Sequence, residues 1–217
     1  MEDARRWLRK AAGSTAWVVV AALAPAAGWA TETFQQLGAS EDARSLVGWV
    51  QRTGDARGRP YAVVDKRSAH LYVFDGDGRL AGHSPALLGS APGDHTVAGV
   101  GDHAQGGHVP PDERTTPAGR FEAQPGENRT GEHVIWVDYE SAFAIHRLRP
   151  GFSYAGRAGR LSTAQAAKMR VSWGCVVVPV AFYTDVVQRV LGASRSVVYV
   201  LPETRTVQGF VRALEQR

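Results

Sequence analysis

Two five-residue runs, Tyr61-Ala62-Val63-Val64-Asp65 and His70-Leu71-Tyr72-Val73-Phe74, lie four residues apart and are followed at once by Asp75-Gly76-Asp77-Gly78. β-Branched and aromatic side chains favour a pleated, packed surface, and an Asp-Gly pair marks a tight reversal. A chain that opens its folded part this way is directed to antiparallel strands, with residues 79–88 returning against the second run. Further strands are expected over 119–123, 133–139, 142–146 and 196–201. Helical signals are fewer. Over 40–51, Ser40 is a cap, Glu41 and Asp42 suit the positive N-terminal end, Ala43, Leu46, Val47 and Val50 share one face, and Gly54 stops the run. Over 179–191, Pro179 opens a helix and Gly192 closes it, with Phe182, Val186 and Val190, and Tyr183, Val187 and Leu191, facing the core. A small closing helix is expected over 206–216. The balance is mainly β, with one or two helices packed on a curved sheet.

Residues 89–114 depart from this pattern. They hold six glycines, three prolines and His95, His103 and His108. Ordered loops of this length are usually functional or mobile, and this one is expected to act as a flap over a groove. Its histidines, beside Asp94, Asp102 and Asp112, raise a secreted zinc-dependent hydrolase as an alternative. Their spacing, however, matches no motif such as His-Glu-x-x-His. No metal and no organic cofactor is expected. Residues 147–170 form a second polar stretch.

Residues 1–30 carry Arg5, Arg6, Arg9 and Lys10, then an apolar run of eight over 16–23, then Gly28 and Ala30. This is the pattern of an export signal cleaved after Ala30, its apolar run being short for a bilayer span. The competing reading is an uncleaved anchor extended through Pro25 to Ala30. The whole chain has 25 Lys and Arg against 21 Asp and Glu, and removing 1–30 leaves 21 against 19. The remainder is nearly neutral, so the pI of about 9.5 is no footprint for nucleic acid. Membrane contact is expected only through the signal, and localisation in the periplasm or cell envelope. No repeat or long linker divides residues 31–217, which are long enough for one substantial core.

The chain has one cysteine, Cys175, in Val171-Ser172-Trp173-Gly174-Cys175-Val176. Exported proteins tend to carry cysteines in pairs. A lone one is either an inert buried residue or a nucleophile. A nucleophile needs an ionisable thiol, a base, and amides for the oxyanion. The Ser172 to Cys175 turn offers the amides of Gly174 and Cys175, with Ser172 steadying the turn. The helix expected from Pro179 would bring a favourable dipole close to the thiol. His146, ending Phe143-Ala144-Ile145, is the candidate base, its alternative being a half-buried structural role.

Three segments together resemble the L,D-transpeptidase catalytic domain of the YkuD type: Thr116-Pro117-Ala118-Gly119-Arg120-Phe121, Ala144-Ile145-His146, and Val171 to Val176 around Cys175. The resemblance covers about residues 60–202. It implies a YkuD-type β-sandwich or curved mixed sheet, with an N-terminal helical segment over 31–58, a catalytic domain over 59–205 and a helical tail over 206–217. It implies Cys175 as nucleophile and His146 as base on a peptidoglycan stem peptide, an acceptor amine or water resolving the acyl-enzyme, a backbone carbonyl near the histidine, and acylation by carbapenems. Two positions depart. Trp173 stands where the family has histidine, and Val177 where it has arginine or asparagine. Arg147, Arg149 and Arg170 are the candidates to replace that polar support, and Thr116 is a candidate groove residue. The basic stretch after His146 either recognises carboxylates or is a solvated loop. A catalytically silent cell-wall binding protein on the same fold is the second alternative.

Overall fold

The computed structural model describes Phe34 and residues 36–151, 153–163 and 165–216. The export signal read over 1–30 lies outside the described residues. Helix α1 (Glu41–Thr53) starts where Ser40 Oγ accepts from the Ala43 amide (3.0 Å) and ends at Gly54 in the left-handed region. Strands β1 (Tyr61–Asp65), β2 (His70–Phe74) and β3 (Leu80–Pro85) form the expected meander. Short β4 (Leu88–Gly89) follows. Next come α2 (Val100–Gln105), β5 (Gly119–Glu127), β6 (His133–Asp138), β7 (Phe143–Arg147) and α3 (Tyr154–Thr163). The chain closes with β8 (Arg170–Ser172), β9 (Val176–Val178), a helical run of α4 (Val180–Phe182), a π turn (Tyr183–Val187) and α5 (Gln188–Val190), then β10 (Ser196–Val200) and α6 (Val207–Glu215).

Eight strands make one mixed sheet in the order β3-β2-β1-β10-β5-β6-β7-β9, and β4 pairs with β8 beside it. β1 with β10 and β7 with β9 are parallel, and the other pairs of the large sheet are antiparallel. The sheet curls until its edges meet: Leu87, just past β3, exchanges two backbone hydrogen bonds with Val177 of β9 (2.8 and 2.9 Å). Strand alternation then separates two cores. Ala62, Val64, Leu71, Val73, Val198 and Val200 point inward to Ile135, Ile145 and the helical run at Tyr183 and Val187. Tyr61, Val63, Tyr72, Phe74, Val197 and Tyr199 point outward and are covered by α1 and α6. The fold is therefore mainly β, as the sequence indicates, but with more helix than expected. The polar stretch 147–170 contains α3, and the long loop contains α2. Among the described residues no helix is long and apolar enough to cross a membrane.

Candidate active site

β7 and β9 set the site. Their parallel register places Ile145 opposite Val176 and His146 opposite Val177. Cys175 immediately precedes β9, so it enters the sheet beside Ala144, two residues along β7 from His146. Its Sγ lies 3.5 Å from the Ala142 carbonyl. Strands in one sheet are about 4.8 Å apart, so Cys175 and His146 stand on neighbouring strands, two residues apart in register.

The turn before Cys175 is held by its own side chain and by a buried strut. Ser172 Oγ donates to the Cys175 carbonyl (2.7 Å) and accepts from the Gly174 amide (3.1 Å). Gly174 adopts φ +126°. Thr116 Oγ1, fully buried, donates to the Gly174 carbonyl (2.7 Å) and accepts from the Gly89 amide (2.8 Å). Two expectations change here. The Gly174 amide is engaged by Ser172 and is not presented to an oxyanion. Thr116 lies beneath the turn as a strut, not in an open groove.

His146 is buried, and its Nδ1 is 2.8 Å from the Arg147 carbonyl. A carbonyl only accepts, so Nδ1 carries the proton and Nε2 keeps its lone pair. Burial, then the positive charge of Arg149, lowers the imidazole to about 4. Burial also pushes the Cys175 thiol up, against a smaller opposing pull from the Ala144 amide and Arg149. Both groups therefore rest neutral. The expected helix dipole does not reach the thiol: the helical run begins after Pro179 as expected, but Val176–Val178 pair with β7 as β9 and hold it away from Cys175. At about 3.3 Å per residue that strand puts the first turn of α4 roughly 10 Å away.

The candidate arginines divide. Arg147 and Arg149 flank the end of β7, both ion-paired to Glu132 (2.7 and 2.5 Å). Burial would raise the Glu132 carboxyl, but these two guanidiniums outweigh it and hold the carboxyl low. Arg147 also lines an open cavity of about 520 Å³ with Leu148, Pro150, Gly151, Tyr154 and Val180. Arg170 instead points away into an ion pair with Glu203 and a bond to the Lys66 carbonyl (3.2 Å).

Trp173 is 44% exposed, and the Arg114 guanidinium sits 5.5 Å from its ring centre. The indole thus clasps the long loop to the turn that carries Cys175. The loop is seated a second time where Gly101 of α2 packs against the Glu140 carbonyl, in the β6–β7 turn beside Ala142. Arg114 and Ala142 were not singled out by sequence, because nothing local marks a loop arginine or an alanine carbonyl as part of a site. Of the residues considered for zinc, Asp94 is buried against Lys66 and His103 pairs with Glu113 (2.6 Å). Among the described residues no three His, Cys, Asp or Glu side chains gather as a metal-binding group.

No protein-family model and no curated protein matches the sequence. Solved structures with a similar course of chain include an L,D-transpeptidase from Mycobacterium smegmatis, at 17% identity and TM-score 0.40, covering 66% of this chain and 58% of that one. Another is the helical cell shape determining protein Pgp2 from Campylobacter jejuni, at 15% identity and TM-score 0.44, covering 73% and 56%. A third is the catalytic domain of the E. faecium L,D-transpeptidase, at 18% identity and TM-score 0.33, covering 66% and 98%. The chain spans less than two thirds of the length of the first two.

Proposed function

We propose that this chain is an exported cysteine acyltransferase that carries out L,D-transpeptidation on peptidoglycan stem peptides. The observation that carries the reading is the placement of Cys175 Sγ against the Ala142 carbonyl, in the turn that leads into β7, the strand that bears His146. Because thiol and imidazole both rest neutral, attack and proton transfer go together. Cys175 Sγ bonds to the carbonyl carbon of the peptide while His146 Nε2 takes the thiol proton. The Nδ1–H bond to Arg147 O keeps the ring in that tautomer and steadies the imidazolium. With the Gly174 amide committed to Ser172, the Cys175 amide is assigned to the oxyanion. Collapse breaks the C–N bond, and the imidazolium proton goes to the leaving amine. An acceptor amine, or water, then attacks the thioester and returns the proton to sulfur through His146. Arg147, which borders a cavity beyond the end of β7, and Arg149, both paired with Glu132, are the guanidiniums assigned to the peptide's carboxylates. Export is drawn from the composition of residues 1–30.

Intact mass after incubation with a carbapenem tests this. Wild type is expected to take one adduct, Cys175→Ala none, and His146→Ala one at a much lower rate. Folded wild type without an adduct would favour the catalytically silent binding protein, in which Trp173 serves only to hold Arg114.

A further inference from the structure

Lys66 sits in the turn between β1 and β2, and its side chain has no exposed surface. An ammonium has three protons to donate, and all three are used: to Asp94 Oδ1 (2.8 Å), to the Gly93 carbonyl (2.5 Å) and to the Thr116 carbonyl (3.0 Å). Glu203 Oε1 stands 3.5 Å away. Asp94 in turn accepts from the amides of Glu203 (2.7 Å) and Thr204 (3.1 Å) and from the Thr204 hydroxyl. Glu203 pairs with Arg170, which donates back to the Lys66 carbonyl (3.2 Å). Two cations and two anions thus close a compensated cluster in the interior.

Such clusters are poor stabilisers, since desolvating the charges offsets most of their attraction, and apolar replacements are often as stable. What this one does is geometric. Gly93 and Asp94 are the root of the 89–114 loop. Thr116 is the strut whose hydroxyl holds the Gly174 carbonyl at 2.7 Å and the Gly89 amide at 2.8 Å. A single ammonium therefore joins the root of the flap to the support of the nucleophile turn. We propose that Lys66 is a positioning residue, locking the 89–114 loop and the Gly174-Cys175 turn into one arrangement so that flap and nucleophile are placed together. The proposal rests on the acyl-transfer reading of Cys175.

Lys66→Met keeps the stem and removes the ammonium. Measured well below its melting temperature, it is expected to slow carbapenem acylation at Cys175 at least tenfold. Hydrogen exchange is expected to rise together over residues 89–94 and 172–176. Leu214→Ala, in α6, supplies a variant of lowered melting temperature in which neither readout moves. Thr204→Val, which takes one hydrogen bond from Asp94, gives a smaller change in the same direction and serves if Lys66→Met does not fold. Wild-type acylation and exchange in Lys66→Met, or equal changes in Leu214→Ala, would overturn the proposal. If wild type takes no adduct, the acyl-transfer reading is what fails, and exchange over the two segments still decides whether Lys66 couples them.

Discussion

At Gly174 the backbone leaves room for no other residue. Its φ of +126° lies where L side chains are strained, and a Cβ there would stand 2.9 Å from the Thr115 carbonyl. Gly174→Ala is expected to cost about 1–3 kcal/mol, lowering the melting temperature by several degrees. Carbapenem acylation should fall much further than stability does, because the strain lands on the residue before Cys175. Equal losses of the two would show that the turn has no special part. His146 carries the pH dependence. Its imidazole, lowered from 6.5 to about 4, stays neutral in the folded protein while the unfolded chain takes up a proton. Stability from this group is complete above pH 6.5 and is lost as pH falls toward 4, where protonation of the folded state halts the loss. At 1.36 kcal/mol per pH unit this amounts to about 3 kcal/mol. Urea midpoints between pH 7.5 and 3.5 should flatten in His146→Gln. An unchanged slope would mean that other groups carry it. The Ser172-to-Cys175 turn, braced by Ser172, and the strand bearing His146 were legible because each sits in a short local pattern. The neutral state of the thiol was not, since it depends on what packs around the sulfur.

Elements were legible where their own residues dictate them and obscure where a neighbour does. β1, β2 and β10 are runs of valine and aromatics and were read to within a residue. α2 has a glycine cap with no side-chain bond, and α3 contains two glycines and one buried apolar residue, Leu161, so neither shows an apolar stripe. α2 exists because it has a seat: a Cβ on Gly101 would come within 1.9 Å of the Glu140 carbonyl. Gly101→Ala must therefore lift α2 from the β6–β7 turn. Limited proteolysis is expected to cut within 89–114 much faster than in wild type, while the far-ultraviolet signature of the sheet persists. A cleavage pattern identical to wild type would show that the loop is held without the Gly101 seat. β9 was missed for a different reason. Pro179 is a sound helix signal, but the three valines before it complete β7 and displace the helix from the thiol.

At the scale of the molecule, the curled sheet keeps stability and chemistry apart. Along the order β10-β5-β6-β7-β9, β10, whose Val197 and Tyr199 lie in the outer core with α1 and α6, is four places from the strand that follows Cys175. The outer core there includes Phe210 and Leu214 from α6, packed with Leu46, Val50 and Tyr199, and Trp49 donates to Glu215 (3.0 Å). No sequence pattern announces that an eight-stranded sheet will bring its two edges together at Leu87 and Val177, because that contact joins residues 90 positions apart. The separation has a measurable consequence. Phe210→Ala removes a fully buried ring and should cost about 3–5 kcal/mol, which at about 2–4 °C per kcal/mol for a domain of this size is a drop on the order of 10 °C in melting temperature. Acylation at Cys175, measured at a temperature where the variant is still folded, should stay within about twofold of wild type, since distant sites with no shared partners act independently. A large loss of acylation in folded Phe210→Ala would mean that the outer core transmits strain through β10 and β5 to β7 and β9, and that the curl couples the two faces it otherwise separates.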